Sequence, residues 1–249
     1  MNFIGIIPAR YSSSRFPGKP LALLGGKPMI QHVYERASTV LTHVYVATDD
    51  IRIYNVVQSF GGNAIMTSTT HRSGTDRICE ALQKISTDCD AVINIQGDEP
   101  FINPSQIKTV CDCLMEPIVQ IATLGIRFKK DICAISNPNS PKIVVDKNGF
   151  ALYFSRSIIP FIRGKESNEW PQSFPFLKHI GLYGYKKNVL KEITSLPQSL
   201  LEKAESLEQL RWLENGYRIK VGLTDVETVG IDTPEDLVKA EAYLSSKIK

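Results

Sequence analysis

Near the start of the chain, Phe3-Ile4-Gly5-Ile6-Ile7 carries no polar side chain, and Ala91-Val92-Ile93-Asn94-Ile95 repeats the pattern with one interruption. Such nearly continuous apolar runs are expected of central strands covered by helices on both faces. Around them, β-rich and helix-like stretches alternate: Met29 to Val40, His43 to Thr48, Ile51 to Phe60, Asn63 to Met66 and Asp76 to Ile85. That rhythm predicts an α/β fold, doubly wound, with a mostly parallel central sheet.

After about Val119 the rhythm changes. Lys142 to Asp146 and Phe150 to Ser155 flank Asp146-Lys147-Asn148-Gly149, whose Asn-Gly step signals a hairpin. Ile158 to Pro175 is Pro-rich and weakly patterned and reads as a long loop, whereas His179 to Tyr185 resumes as a strand. Leu200 to Asn215 has the pattern of one helix stopping at Gly216, and a last helix starts at Thr233-Pro234-Glu235-Asp236. The expectation is a single domain over 1–249, with a smaller β-rich lobe around 119–190.

At 249 residues and 43% hydrophobic content, the chain can bury an ordinary core. Its longest charge-free apolar runs, such as Ile118 to Ile126, fall short of the roughly 20 residues of a membrane helix. Met1-Asn2-Phe3 lacks the basic start of a secretory signal, so a cytoplasmic protein without membrane partners is expected. Five cysteines without C-x-x-C spacing suggest neither a disulfide framework nor a zinc site.

A net charge of +3 is too small to argue for nucleic acid, but its distribution is informative. No Asp or Glu occurs from Met1 to Tyr34, while Arg10, Arg15, Lys19 and Lys27 do, so an anionic ligand is expected there. The first strand feeds a loop from Ala9 to Pro20 in which small residues such as Ser13 accompany three of these cations. Small residues let backbone amides approach phosphate oxygens, Arg offers a planar fork of donors, and Lys a point charge. Lys19 is followed by Pro20, which excludes a Walker A loop, and no G-x-G occurs for a dinucleotide fingerprint.

Asp98 follows the apolar run 91–95 and should point into the crevice where that loop emerges; a turn-forming Asp beside Gly97 and Pro100 is the alternative. Asp232 precedes a helix, where Asp usually caps. Here Thr233 is the expected cap, with Pro234 at the first helical position and Asp236 closing a variant capping box, so Asp232 is left for a metal.

The stretch Ile7-Pro8-Ala9-Arg10-Tyr11-Ser12-Ser13-Ser14-Arg15-Phe16-Pro17-Gly18-Lys19-Pro20 resembles the N-terminal signature of CMP-sugar synthetases that use acidic sugars. Further matches to that family run in order through Thr70 to Arg77, Asn94 to Pro100, Ala151 to Arg156, His179 to Tyr185, Leu207 to Arg211 and Gly230 to Asp236. The segment from about Phe161 to Phe176 matches least.

The resemblance implies a nucleotidyltransferase reaction. CMP would pass from CTP to an acidic sugar, with 3-deoxy-manno-octulosonate the best match, sialic acid or an 8-amino octulosonate as alternatives, and lipopolysaccharide synthesis the destination. A non-catalytic nucleotide-binding regulator is the rival of a different class. By the same resemblance Arg10 and Lys19 serve the triphosphate with Arg15 as helper. Ala9, Ser73, Gly74 and Gln96 lie near the base or ribose, with Arg72 and Arg77 as phosphate or base neighbours. Asp98 and Asp232 hold magnesium, two ions in all. Arg156, His179, Tyr183, Tyr185, Glu208 and Gln209 meet the sugar, and the assembly is a homodimer.

Overall fold

The computed structural model describes every residue except Ser14, Lys130, Val229, Ile248 and Lys249. Ser14 of the loop motif thus lies outside the described residues. In chain order, β1 (Phe3–Ala9) passes through a loop and a 3₁₀ turn into a small hairpin, β2 (Leu23–Leu24) and β3 (Lys27–Pro28). Then come α1 (Met29–Ser38), β4 (His43–Thr48), α2 (Ile51–Ser59), β5 (Asn63–Met66), α3 (Gly74–Lys84), β6 (Ala91–Asn94) and α4 (Pro104–Met115). β7 (Ile121–Arg127), α5 (Ile132–Ser136), β8 (Lys142–Val145), β9 (Ala151–Ser155), α6 (Trp170–Ser173) and β10 (Leu177–Lys186) follow. The last elements are α7 (Lys187–Ser195), α8 (Leu200–Glu205), α9 (Gln209–Glu214), β11 (Ile219–Thr224) and α10 (Pro234–Lys247).

The chain divides into two compact units, Met1–Lys108 with Thr228–Lys249, and Thr109–Glu227. The lobe expected around 119–190 falls within the second. In the first unit, β1 pairs in parallel with both β4 and β6, and β5 extends the sheet in parallel beyond β4. Every residue of β6 and most of β1 are buried, as their unbroken apolar character requires of strands covered on both faces. The α/β expectation with a mainly parallel sheet is therefore met.

In the second unit, β11 runs parallel to β7, but β7–β10, β10–β8 and β8–β9 are all antiparallel. The β8–β9 hairpin turns at Asp146–Gly149, with Gly149 at φ 76° and the Asp146 carboxylate accepting from the amides of Asn148 and Phe150. Only glycine adopts that φ without steric cost, which is why the Asn-Gly step was diagnostic.

Two expectations are corrected. The stretch 158–175 is not a bare loop: it holds a 3₁₀ turn, Ser167–Glu169, and then α6. Trp170 and Phe176 are buried there with Ile135, and Phe128, Ile158, Ile162 and Phe174 pack around them. Its apolar residues are spaced irregularly, so no periodicity betrays this small core. Nor is Leu200–Asn215 one helix, because Ser206, at φ 50° and ψ 48°, breaks it into α8 and α9.

The C-terminal helix α10 belongs to the first unit and is capped as expected. The Asp236 amide donates to Thr233 Oγ1 at 3.3 Å and the Thr233 amide donates to Asp236 Oδ2 at 3.1 Å. Ile231, Leu24, Met29 and Ala240 form a buried cluster against which Phe16, Phe101 and Leu237 pack. Each of Phe16, Ile231 and Phe101 is sequence-adjacent, or nearly so, to a candidate site residue: Arg15, Asp232 and Asp98. The cluster therefore fixes three separate polar segments through their apolar neighbours.

Ile231→Ala should lower stability by about 2–4 kcal/mol, the range for truncating a buried aliphatic side chain. Val238→Ala, at a position 70% exposed on α10, should change it by less than about 0.5 kcal/mol. Urea unfolding checks both, and equal effects would remove the cluster's structural role.

Candidate active site

The first unit contains a cavity of about 280 Å³ at the carboxyl ends of β1 and β6. It is lined by every residue that the sequence assigned to nucleotide or metal: Ala9, Arg10, Ser13, Arg15, Lys19, Arg72, Ser73, Gly74, Arg77, Gln96, Asp98 and Asp232. Pro8, Pro20, His71 and Gly97 complete the lining.

The loop after β1 folds back on itself because the Gly18 amide donates to the Tyr11 carbonyl at 2.9 Å, with Gly18 at φ 72°. The Arg52 guanidinium covers the Tyr11 ring at 3.3 Å and is itself held by Asp50. That turn launches the 3₁₀ segment whose first residue is Lys19. Gly97 lies close under β1: a Cβ there would sit 3.1 Å from the Pro8 carbonyl oxygen, so any side chain would force the backbone apart by a few tenths of an ångström.

Lys19 Nζ donates to Asp98 Oδ2 at 2.6 Å and to Asp232 Oδ1 at 3.2 Å. Since both contacts share one nitrogen, the two carboxylate oxygens lie within about 6 Å of each other, a gap that a small shift closes around an ion with oxygens at about 2.0–2.1 Å. The Ile231 amide also donates to the Asp98 carbonyl at 2.9 Å, so the backbone ties the two segments as well. Arg15 reaches Asp232 Oδ2 at 3.3 Å from a largely exposed position.

Among the described residues no group of three or more His, Cys, Asp or Glu side chains is placed to hold a metal. A pair of hard carboxylates is nevertheless the donor set that suits magnesium, which commonly takes one or two carboxylates and completes its shell with phosphate and water.

At the cavity rim, Ser73 caps α3 by accepting from the Asp76 amide at 3.1 Å, which leaves the helix start and Gly74 facing the cavity. His71 contacts Glu80 Oε2, and Glu80 also accepts from the Ser68 amide and pairs with Lys84. Lys84 first, then the Ser68 amide, outweigh burial and with His71 hold the Glu80 carboxyl down at about 2. Arg77 is buried, and its guanidinium donates to Asp49 at 2.7 Å, Thr67 Oγ1 at 2.7 Å and the Ser68 carbonyl at 3.3 Å. Three of its five donors thus serve the protein itself.

The second unit gathers the residues assigned to the sugar around an aromatic wall. Tyr183 stacks on Tyr185, both meet Trp212 edge-on, and His179 lies 5.3 Å from the Tyr183 ring. His179, Tyr183 and Tyr185 are spaced by even numbers along β10, so strand alternation puts their rings on one side, and the β10–β7 register shift between Ile180 and Tyr183 leaves that parity intact. Thr123 Oγ1 lies within hydrogen-bond reach of His179 Nε2 and of the Ile180 and Leu182 carbonyls. A hydroxyl has one proton; with that proton on a carbonyl, His179 Nε2 donates and Nδ1 keeps its lone pair.

Burial lowers the His179 pKa to about 3. Burial first, then the charges on Tyr185 and Glu208, raise Tyr183 well above its usual range. Glu208 is gripped by Arg211 at 2.7 Å, and Arg211 also donates to the Leu196 carbonyl. Gln209 is 4% exposed, and its Nε2 and the Trp212 indole nitrogen are buried without a hydrogen-bond partner. Such atoms need an explanation, and a polar ligand is one.

Two of the sugar assignments change at this point. Tyr185 is 0% exposed and offers a ligand no surface, so it supports the wall. The Arg156 guanidinium is turned to three backbone carbonyls, those of Pro138, Glu205 and Ser206.

A family model described as Cytidylyltransferase matches residues 4–219. The chain belongs to the cytidylyltransferase family. It is 63% identical to the 3-deoxy-manno-octulosonate cytidylyltransferase of Parabacteroides distasonis, over 99% of this chain and 100% of that protein. It is 49% identical to the 8-amino-3,8-dideoxy-manno-octulosonate cytidylyltransferase of Shewanella pealeana, over 98% and 99% of the two chains. Among solved structures it resembles CMP:2-keto-3-deoxy-manno-octonic acid synthetase complexed with CTP, with a TM-score of 0.92, 43% identity and coverage of 99% and 100%.

In this cytidylyltransferase, sequence reasoning missed His71 and the Asp49–Arg77 pair. His71 lay inside a quoted motif, but nothing local marks its partner Glu80. Asp49 pairs with Arg77 across 28 positions, a distance no periodicity reports.

His179 is the titration to test. Its pKa is lowered, so the stability it lends is complete above the ordinary value of 6.5 and fades as pH falls from there toward about 3. In an NMR titration its ring resonances should stay those of neutral imidazole from about pH 8 down to about pH 5. A midpoint between about pH 6 and 7 would contradict its enclosure.

Proposed function

We propose that this cytidylyltransferase transfers CMP from CTP to 3-deoxy-manno-octulosonate, releasing pyrophosphate and giving the activated sugar acid for lipopolysaccharide synthesis. The observation that carries the reading is the Asp98–Lys19–Asp232 cluster on the floor of a cationic cavity. The similarity to octulosonate cytidylyltransferases over the full chain supplies the substrate.

In this reading the anomeric hydroxyl of the sugar attacks the α-phosphorus of CTP, and the bond to the bridging oxygen of pyrophosphate breaks. Both substrates are anions, so their approach and the charge building on the leaving group need fixed cations. Arg10, Arg15 and Lys19 supply these along the triphosphate, and Ser13 with the backbone of the loop adds donors. Ala9, Ser73, Gly74 and Gln96 shape the nucleoside end, with Arg72 beside them and Arg77 bracing the wall.

Asp98 and Asp232 would hold magnesium, which when bound supplies positive charge to the phosphates and acidifies the attacking hydroxyl. The carboxylates keep that charge opposite the cationic loop and need no proton transfer of their own. In the second unit Glu208, Gln209, His179 and Tyr183 present a polyol with acceptors and donors. Gln209 Nε2, buried without a partner, is the donor that gains most from a hydroxyl or carboxylate.

The reaction belongs in the cytoplasm, where CTP is made. The homodimer of the family resemblance is part of the same proposal, with the exposed Leu152, Phe161 and Leu200 as apolar surface for it to cover.

Purified protein with CTP and magnesium should release pyrophosphate with 3-deoxy-manno-octulosonate, faster than with its 8-amino analogue or sialic acid, and little with UTP, ATP or GTP. Asp98→Asn should lower turnover by at least about 100-fold, as loss of a charge-stabilising group does. Release that ignores the sugar, or near-normal turnover of the variant in saturating magnesium, would refute the reading.

A further inference from the structure

Lys142 is the only lysine of the second unit's described residues with no exposed surface at all, at the start of β8. Burial first, then the nearby Arg156 charge, lower its pKa. Its ammonium donates to two backbone carbonyls, Asn137 at 2.9 Å and Arg156 at 2.7 Å. A buried cation costs free energy, and two carbonyls alone are a poor exchange for water. A neighbour offsets part of that cost: the Glu205 charge opposes the shift without reversing it.

Glu205 ends α8 and is fully engaged. One carboxylate oxygen accepts from Ser155 Oγ at 2.6 Å and the other from the Arg156 amide at 2.9 Å. Arg156 answers with its side chain, donating from Nε to the Glu205 carbonyl at 2.6 Å and from Nη2 to the Ser206 carbonyl at 3.2 Å. Carbonyls at a helix end have no partner within the helix, and here one guanidinium takes two of them.

Ser206 is the single described non-glycine residue with positive φ, a conformation that side chains disfavour by about 1–2 kcal/mol. Nothing in Leu200 to Asn215 favours a break there. The turn is imposed by tertiary hydrogen bonds, and it determines where α9 begins. α9 begins with Gln209, preceded by Glu208 as its cap residue, and these are two of the four residues assigned to the sugar in the proposed function.

We infer that Arg156 and Glu205 are positioning residues for sugar recognition: their mutual grip on the Ser206 turn sets the placement of Glu208 and Gln209. Lys142 anchors the grip from beneath by fixing the Arg156 carbonyl. Arg156 thus acts through the turn and not by touching the sugar. The inference rests on the assignment of Glu208 and Gln209 to the sugar.

A double-mutant cycle tests it, using the full-length protein with Arg156→Ala, Glu205→Ala and the pair. Each is read by steady-state kinetics with CTP and 3-deoxy-manno-octulosonate, and by hydrogen exchange of amides 206–211. Each single variant should raise the sugar KM about tenfold with the CTP KM within about twofold, and the pair should do no worse than the stronger single change, because the residues act as one unit. Exchange at 206–211 should speed up in all three while amides of β1 and β6 stay unchanged.

Additive effects on sugar KM would mean that Arg156 contacts the sugar itself, and would overturn the inference. A lower melting temperature with unaltered sugar KM would also overturn it, by leaving only a structural role. If Arg156→Ala does not fold, Arg156→Lys, which keeps the charge but loses the fork, carries the same expectations. Wild-type protein that ignores octulosonate sinks the proposed function and the sugar role of the turn with it, whereas octulosonate turnover with unchanged exchange at 206–211 in the variants overturns the positioning claim alone.

Discussion

Two carboxylates that would repel each other are held side by side by one ammonium. At about 6 Å and an effective dielectric constant of about 20, the Asp98–Asp232 repulsion is about 3 kcal/mol, and less where water enters. Lys19 offsets it with two short contacts, Arg15 adds a third from the rim, and the Ile231–Asp98 backbone bond limits how far the segments can part. The same ammonium is a candidate partner for a triphosphate. A ligand that draws Lys19 away leaves the carboxylates facing each other without a counter-charge, which is the condition under which they attract a divalent cation most strongly.

That arrangement explains why the apolar cluster around Ile231 matters to chemistry. The loop, the segment after β6 and the start of α10 come from three distant parts of the sequence, and no polar contact alone would hold them in register. Phe16, Phe101 and Ile231 enter one core, and their polar neighbours are carried to the cavity with them. The second unit solves a related problem differently. There the polar groups sit in an aromatic wall, and their positions follow from the alternation of β10 and a strained turn at Ser206.

Where local chemistry decides the structure, the sequence was legible. The apolar runs of β1 and β6, the Asp146–Gly149 turn and the Thr233–Asp236 capping box each depend on residues within a few positions of one another. The cavity was legible too, because strand ends in such sheets point to a common crevice and the basic loop and Asp98 both follow strands. What stayed hidden depends on long-range partners. The Ser206 break is stabilised by Arg156, fifty positions earlier, against the periodicity of Leu200 to Asn215. Tyr183 and Tyr185 alternate identically in sequence, and nothing local tells that Tyr185 is wholly buried while Tyr183 keeps 7% of its surface. Arg77 reads as a cation available to phosphate until Asp49 is seen beside it.

The central claim is that Asp98 and Asp232 form one cation site that Lys19 guards. Manganese binding followed by electron paramagnetic resonance in the presence of CTP measures it most directly, comparing unaltered protein with Asp98→Asn and Asp232→Asn. The account predicts that each variant binds manganese at least about tenfold more weakly while CTP alone binds as well as before. Unchanged manganese affinity in both variants would contradict it.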